Sequence, residues 1–162
     1  MAFDKQDAGI LVVDDDKALA DSLVEYLSDL GYSAQAAYSG REGLDRFENG
    51  TFHLVITDIK MPGMDGMELL EAVKAHDKQV MVMLVTGYGT IESAVEAMKK
   101  GAYDYTTKPV KMEELEIIVS RALQRYVMSE RLSVLRGLTM AMAISAPLWL
   151  IVGIALALLW RR

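Results

Sequence analysis

Cysteine is absent from this 162-residue chain, which removes disulfide frameworks, thiolate nucleophiles and Cys-based metal sites from consideration. Charge is missing from one long stretch, since residues 137–160, from Gly137 to Trp160, hold no charged side chain. Clustered cations are missing from the body: residues 1–120 carry 11 Lys and Arg against 22 Asp and Glu, a net of −11. Phosphate binding needs such clusters, so nucleic acid is not expected as a direct partner. Internal repeats and low-complexity segments are also lacking. Residues 1–8, with Asp4, Lys5 and Asp7 and no apolar core, are not expected to be a secretory signal.

The uncharged stretch is itself informative. As a helix, its 24 residues reach about 36 Å, enough for a hydrocarbon core of about 30 Å. Arg131 and Arg136 precede it, Arg161 and Arg162 follow it, and Trp160 stands where an interfacial aromatic belongs. Residues 121–162 carry six Arg against Glu130, a net of +5, which suits an anionic membrane surface. The expected organisation is a module over 1–125, a helical linker over 126–136, a transmembrane helix over 137–160 and a basic tail at 161–162. The flanking arginines place the module on the cytoplasmic side of an inner or plasma membrane, with a single pass. Pro147 would kink the helix or, as an alternative, bend it into a re-entrant hairpin. Gly153-x-x-x-Ala157 offers a small-residue face for helix pairing.

Apolar runs alternate with amphipathic stretches over residues 9–125. Strands are expected at 10–13, 33–37, 53–57, 80–85 and 102–105. Helices are expected at 17–30, 40–47, 66–75 and 90–99 and from 111 onward, with Gly31 and Gly101 as stops. Five strands alternating with five helices across short turns imply right-handed crossovers. The result is an α/β, doubly wound, five-stranded parallel sheet, flavodoxin-like, covered on both faces. Ligands of such sheets collect at the carboxyl ends of the strands.

Those strand ends hold the chemistry. Asp14-Asp15-Asp16 closes the first, Asp58 the third and Thr86 the fourth, and Lys108-Pro109 follows the fifth. Carboxylates packed this closely raise one another's pKa unless a cation sits among them. A hard, oxygen-seeking Mg²⁺ fits that need. Asp58 could then stay ionised and attack a phosphoryl group, with Lys108 pairing the transferred oxygens and Thr86 donating a hydrogen bond to one of them.

The motifs resemble a known family. Val12-Val13-Asp14-Asp15-Asp16, Asp58-Ile59-Lys60-Met61-Pro62-Gly63-Met64-Asp65-Gly66, Val85-Thr86-Gly87-Tyr88 and Tyr103-Asp104-Tyr105-Thr106-Thr107-Lys108-Pro109 are together similar to the receiver domain of two-component response regulators, also called chemotaxis-regulator-like. The likeness is nearest to the nitrogen-regulatory type and covers about three quarters of the chain. It implies Asp58 as phosphoacceptor, Asp14 and Asp15 as the acidic pair holding Mg²⁺, and the backbone carbonyl of Lys60 as a further metal ligand. Thr86 and Tyr105 match the switch pair and Lys108 the family's lysine, with the bond to Pro109 often cis. A histidine kinase or phosphotransfer protein is the implied donor. The face made by helix four, strand five and helix five is the implied surface for a partner or a homodimer.

Other residues read as structural. Asp16 is expected to cap the following helix, His53 and His76 are isolated from each other, and Met61, Met64, Met67, Met81, Met83 and Met98 are expected to fill the core. Receivers of the nitrogen-regulatory type are normally followed by an ATPase and a DNA-binding domain. Here a helix with Leu115, Ile118, Val119, Ala122 and Leu123 runs toward the apolar segment instead, leaving the output open. The expected role is a membrane-anchored switch rather than an enzyme, self-phosphorylating from donors and autodephosphorylating. The alternative is a phosphate sink or relay with no output partner.

Overall fold

The computed structural model describes residues 5–87 and 89–129. The expected span at 137–160, the tail at 161–162, the linker beyond 129 and Tyr88 lie outside the described residues. Among the described residues, no helix is long and apolar enough to cross a membrane.

A 3-10 turn at Lys5–Asp7 leads into β1 (Gly9–Val13), α1 (Lys17–Asp29), β2 (Ser33–Ala37), α2 (Gly40–Asn49), β3 (Leu54–Asp58), α3 (Gly66–His76), β4 (Met81–Thr86), α4 (Ile91–Lys99) and β5 (Asp104–Thr107). A last helix, α5, occupies 112–129. The five strands pair in parallel in the order β2-β1-β3-β4-β5, a flavodoxin-like α/β fold. Chain direction across the sheet reverses between β1 and β3, so the ligand-collecting edge lies at their carboxyl ends.

Side-chain alternation divides the core into two layers. Ile10, Val12, Leu54, Ile56 and Met83 point to one face, beneath Leu23 and Leu27 of α1 and Leu115 and Val119 of α5. Leu11, Val13, Val55, Val82 and Leu84 point to the other, beneath Leu44 and Phe47 of α2, Leu69 and Val73 of α3, and Ala97 of α4. β1, β3 and β4 are buried along their whole length, which is why they read as unbroken apolar runs. Asp16, Ser39, Asp65 and Thr90 cap the amino ends of α1 to α4 through their side chains.

The structure corrects several boundaries. β5 begins at Asp104, two residues later than expected. Gly101, at φ 96°, still closes the helix turn, and the Ala102 N–H donates to Ala97 O at 3.0 Å, so Ala102 belongs to the helix stop. β3 takes in Asp58, which pairs with Val85. Met61, Met81 and Met83 are buried as expected, but Met98 is 51% exposed. It shares the outer side of α4 with Ile91 and Val95, and Ala97 is the helix's one buried residue.

Candidate functional site

Parallel register assembles the site. Val13 lies opposite Thr57, Asp58 opposite Val85 and Thr86 opposite Thr107. The residues that follow or end these strands, Asp14, Asp58, Thr86 and Lys108, therefore meet along one edge. Backbone bonds fix their positions: the Asp14 N–H donates to Ala37 O at 3.1 Å, and the Lys108 N–H to Thr86 O at 2.7 Å. The Lys108-Pro109 peptide is cis. Gly66, the first residue of α3, passes so close to β3 that a Cβ there would collide with the Asp58 carbonyl oxygen. Only a residue without a side chain lets α3 start there.

The acidic groups are held tightly. Asp14 is 3% exposed, Asp58 8% and Thr86 1%, while Asp15 is open to solvent. Lys108 Nζ donates to Asp14 Oδ2 at 2.7 Å and to Asp58 Oδ2 at 2.9 Å. The second Asp14 oxygen accepts the Asp16 N–H at 3.0 Å, and Asp58 Oδ1 accepts the Lys60 N–H at 3.3 Å. Burial pushes the Asp14 carboxyl above its ordinary pKa, although the Lys108 hydrogen bond pulls the other way. Burial also opposes the Lys108 charge, but its bonds to Asp14 and Asp58 outweigh that and hold its pKa above normal.

One carboxylate oxygen from each of Asp14, Asp15 and Asp58 lies within 4.8 Å of the others. Three carboxylates against one ammonium leave an excess of negative charge, and the donors are all oxygen. Both features fit a hard divalent cation.

Of the residues singled out from sequence, Asp14, Asp15, Asp58 and Lys108 converge, Lys60 meets Asp58 through its backbone, and Thr86 ends the strand beside them. Tyr105 stands apart. Its hydroxyl is 2.7 Å from Ser93 Oγ in the first turn of α4. His53 and His76 lie elsewhere: His53 Nδ1 accepts the Gly9 N–H at 2.9 Å, and the His76 ring meets Phe47 edge-on. Sequence reasoning missed Ser93 and Gly66. A Thr-x-x-Ser capping pattern at 90–93 and a glycine opening a helix were the signals available.

A family model for the response regulator receiver domain matches residues 10–120. The chain belongs to that family. Its relatives include the transcriptional regulatory protein ZraR of Klebsiella oxytoca, 38% identical over 75% of this chain and 27% of ZraR. The nitrogen assimilation regulatory protein NtrX of Azorhizobium caulinodans is 36% identical over 80% of this chain and 29% of NtrX. The chain thus spans under a third of these curated relatives. The solved beryllofluoride-activated NtrC4 receiver domain dimer is 31% identical with a TM-score of 0.70, covering 73% of this chain and 98% of that one.

Proposed function

We propose that this receiver is a phosphoacceptor switch anchored to the inner face of a membrane, taking its phosphoryl group on Asp58 from a histidine kinase or phosphotransfer protein. The observation that carries the reading is the placement of one lysine between two nearly buried carboxylates, with a third carboxylate at the rim. Asp58 Oδ2, now bonded to Lys108, is the nucleophile. Asp14, Asp15 and Asp58, with the Lys60 carbonyl, are the groups that would hold Mg²⁺. When bound, the ion supplies charge neutralisation among carboxylate and phosphoryl oxygens. Lys108 orients the incoming oxygens, and the Thr86 hydroxyl donates to one of them.

A phosphoryl group adds about −1.5 to −2 charge. Thr86 then moves toward it, and Tyr105 turns inward to fill the space, reshaping the face of α4, β5 and α5. An output partner or a second receiver reads that face. The solvent-facing apolar side chains Ile91, Val95 and Met98 on α4 favour a protein reader over a pure phosphate sink. The activated NtrC4 receiver is a dimer by its description, which supports self-pairing here. The charge-free segment 137–160 supports the membrane anchor, and the acidic body supports a protein rather than a nucleic acid as direct partner.

The test is capture of membrane partners by the full-length protein with and without beryllofluoride. Beryllofluoride-dependent capture or self-association supports the switch, whereas none in either condition, alongside rapid turnover at Asp58, supports the sink.

A further inference from the structure

α4 is the most loosely seated helix described. It buries only Ala97, against four residues for α3, and Ile91 at its amino end is 80% exposed. Its carboxyl end is tied to α3 by Lys100, whose Nζ lies 2.6 Å from Glu71 and 2.8 Å from Glu96. Its amino end has a different tie, and that tie leads to Tyr105.

Ser93 Oγ sits at the centre of a small hydroxyl network. It accepts the Thr90 N–H at 3.1 Å, donates to Thr90 O at 3.0 Å and meets the Tyr105 hydroxyl at 2.7 Å. A serine hydroxyl has one donor and two acceptor sites. Thr90 Oγ1 lies 3.2 Å away as well, and the Tyr105 contact, in which either oxygen can donate, is the shortest of the four. The phenol also lies against the β4–α4 loop, where a Cβ on Gly89 would be 3.3 Å from its oxygen. That loop leads directly from Thr86.

We infer that Ser93 is a positioning residue that restrains the switch: its hydroxyl ties Tyr105, whose ring packs partly buried against the core, to the first turn of α4, so the ring leaves its present place only when that bond breaks. The inference rests on the proposed role of Tyr105 and adds what opposes it. Breaking the bond frees the ring and one of α4's few attachments together, so the restraint couples the phosphoryl site to the exposed helix.

Two residues share the bond, so a double-mutant cycle tests it. Ser93→Ala removes the hydroxyl and also weakens the Thr90 cap, whereas Tyr105→Phe removes only the phenol oxygen. Ser93→Thr keeps the hydroxyl. A net hydrogen bond is worth about 1 kcal/mol, or about fivefold in an equilibrium. Two readouts on the full-length protein in detergent micelles decide the matter. NMR of isotope-labelled tyrosine, without a phosphate mimic, reports the Tyr105 ring. Ser93→Ala should raise the population of a second ring position and Ser93→Thr should not.

In beryllofluoride titrations with Mg²⁺, Ser93→Ala and Tyr105→Phe should each tighten binding by up to about fivefold, because a restrained competent state lowers apparent affinity. The double variant should gain no more than either single one. An unmoved ring in Ser93→Ala, or a double variant equal to the product of the singles, overturns the inference. A wild type that does not bind beryllofluoride contradicts the proposed function, and the ring measurement then still decides the role of Ser93.

Discussion

Lys108 reaches Asp58 across the carboxyl edge of the sheet, its Nζ 2.9 Å from Oδ2, and the same nitrogen serves Asp14 at 2.7 Å. One ammonium thus restrains two carboxylates that would otherwise face each other inside the fold. Hydrogen bonds to charged groups are worth about 1.5–3 kcal/mol. Lys108→Ala should therefore slow labelling by acetyl phosphate about tenfold or more at saturating Mg²⁺. Lys108→Arg should rescue poorly, because a planar guanidinium does not replace a compact ammonium between two carboxylates. An unchanged labelling rate in Lys108→Ala would remove the lysine from the chemistry.

The glycines of the β3–α3 turn separate strain from site geometry. Gly63 has φ 79° with open space around it, whereas a Cβ on Gly66 would strike the Asp58 carbonyl. Gly63→Ala should cost about 1–2 kcal/mol in denaturant unfolding and leave Mg²⁺ affinity alone. Gly66→Ala should cost about 1–3 kcal/mol from overpacking and also weaken Mg²⁺ binding, because Asp58 must shift. Equal Mg²⁺ affinity in both variants would show that the turn does not position the acceptor.

Acid should reveal a third contribution, at α2. Glu42 Oε2 accepts the Tyr38 N–H at 2.9 Å. That bond, reinforced by Arg46 although partial burial works against it, holds the carboxyl below its ordinary pKa. A depressed folded-state pKa stabilises the fold above the unfolded value and is lost as pH falls through the folded one. Glu42→Gln should thus be less stable than wild type near neutrality, with the gap closing in acid below the ordinary carboxylate pKa. A gap that persists undiminished in strong acid would mean that packing, not charge, is what Glu42 contributes.

The anchor is testable by truncation. A chain ending at Arg136 should be soluble, accept phosphate on Asp58 and lose most membrane-dependent signalling, because tethering raises effective concentration for partners in the same layer. Fractionation of that shortened chain with membranes, or full signalling at equal expression, would deny the segment this role.

Much of this was legible in the sequence because the chemistry sits where strands stop. Asp14 and Lys108 are 94 residues apart, yet each directly follows a strand, β1 or β5, and parallel pairing brings such ends together. The capping role of Asp16 was readable because a short acidic side chain preceded a helical period, and it accepts the Leu19 N–H at 3.2 Å. Met98 misled because methionine is apolar on any scale, and composition does not say which side of α4 faces outward. β5 was shifted because Ala102 and Tyr103 look like strand residues, whereas the Gly101 turn claims Ala102. Ser93 was invisible as a partner of Tyr105, since that contact joins a helix cap to a strand twelve residues later and no local pattern encodes it.

Asp58 is proposed to accept a phosphoryl group with the help of its carboxylate neighbours. The most direct measurement is mass-spectrometric labelling of the full-length protein by acetyl phosphate, with and without Mg²⁺, in wild type and Asp58→Asn. A single, alkali-labile, Mg²⁺-dependent phosphoryl adduct in wild type and none in a folded Asp58→Asn is the predicted result. An adduct that persists in Asp58→Asn, or forms equally well without a divalent cation, would contradict it.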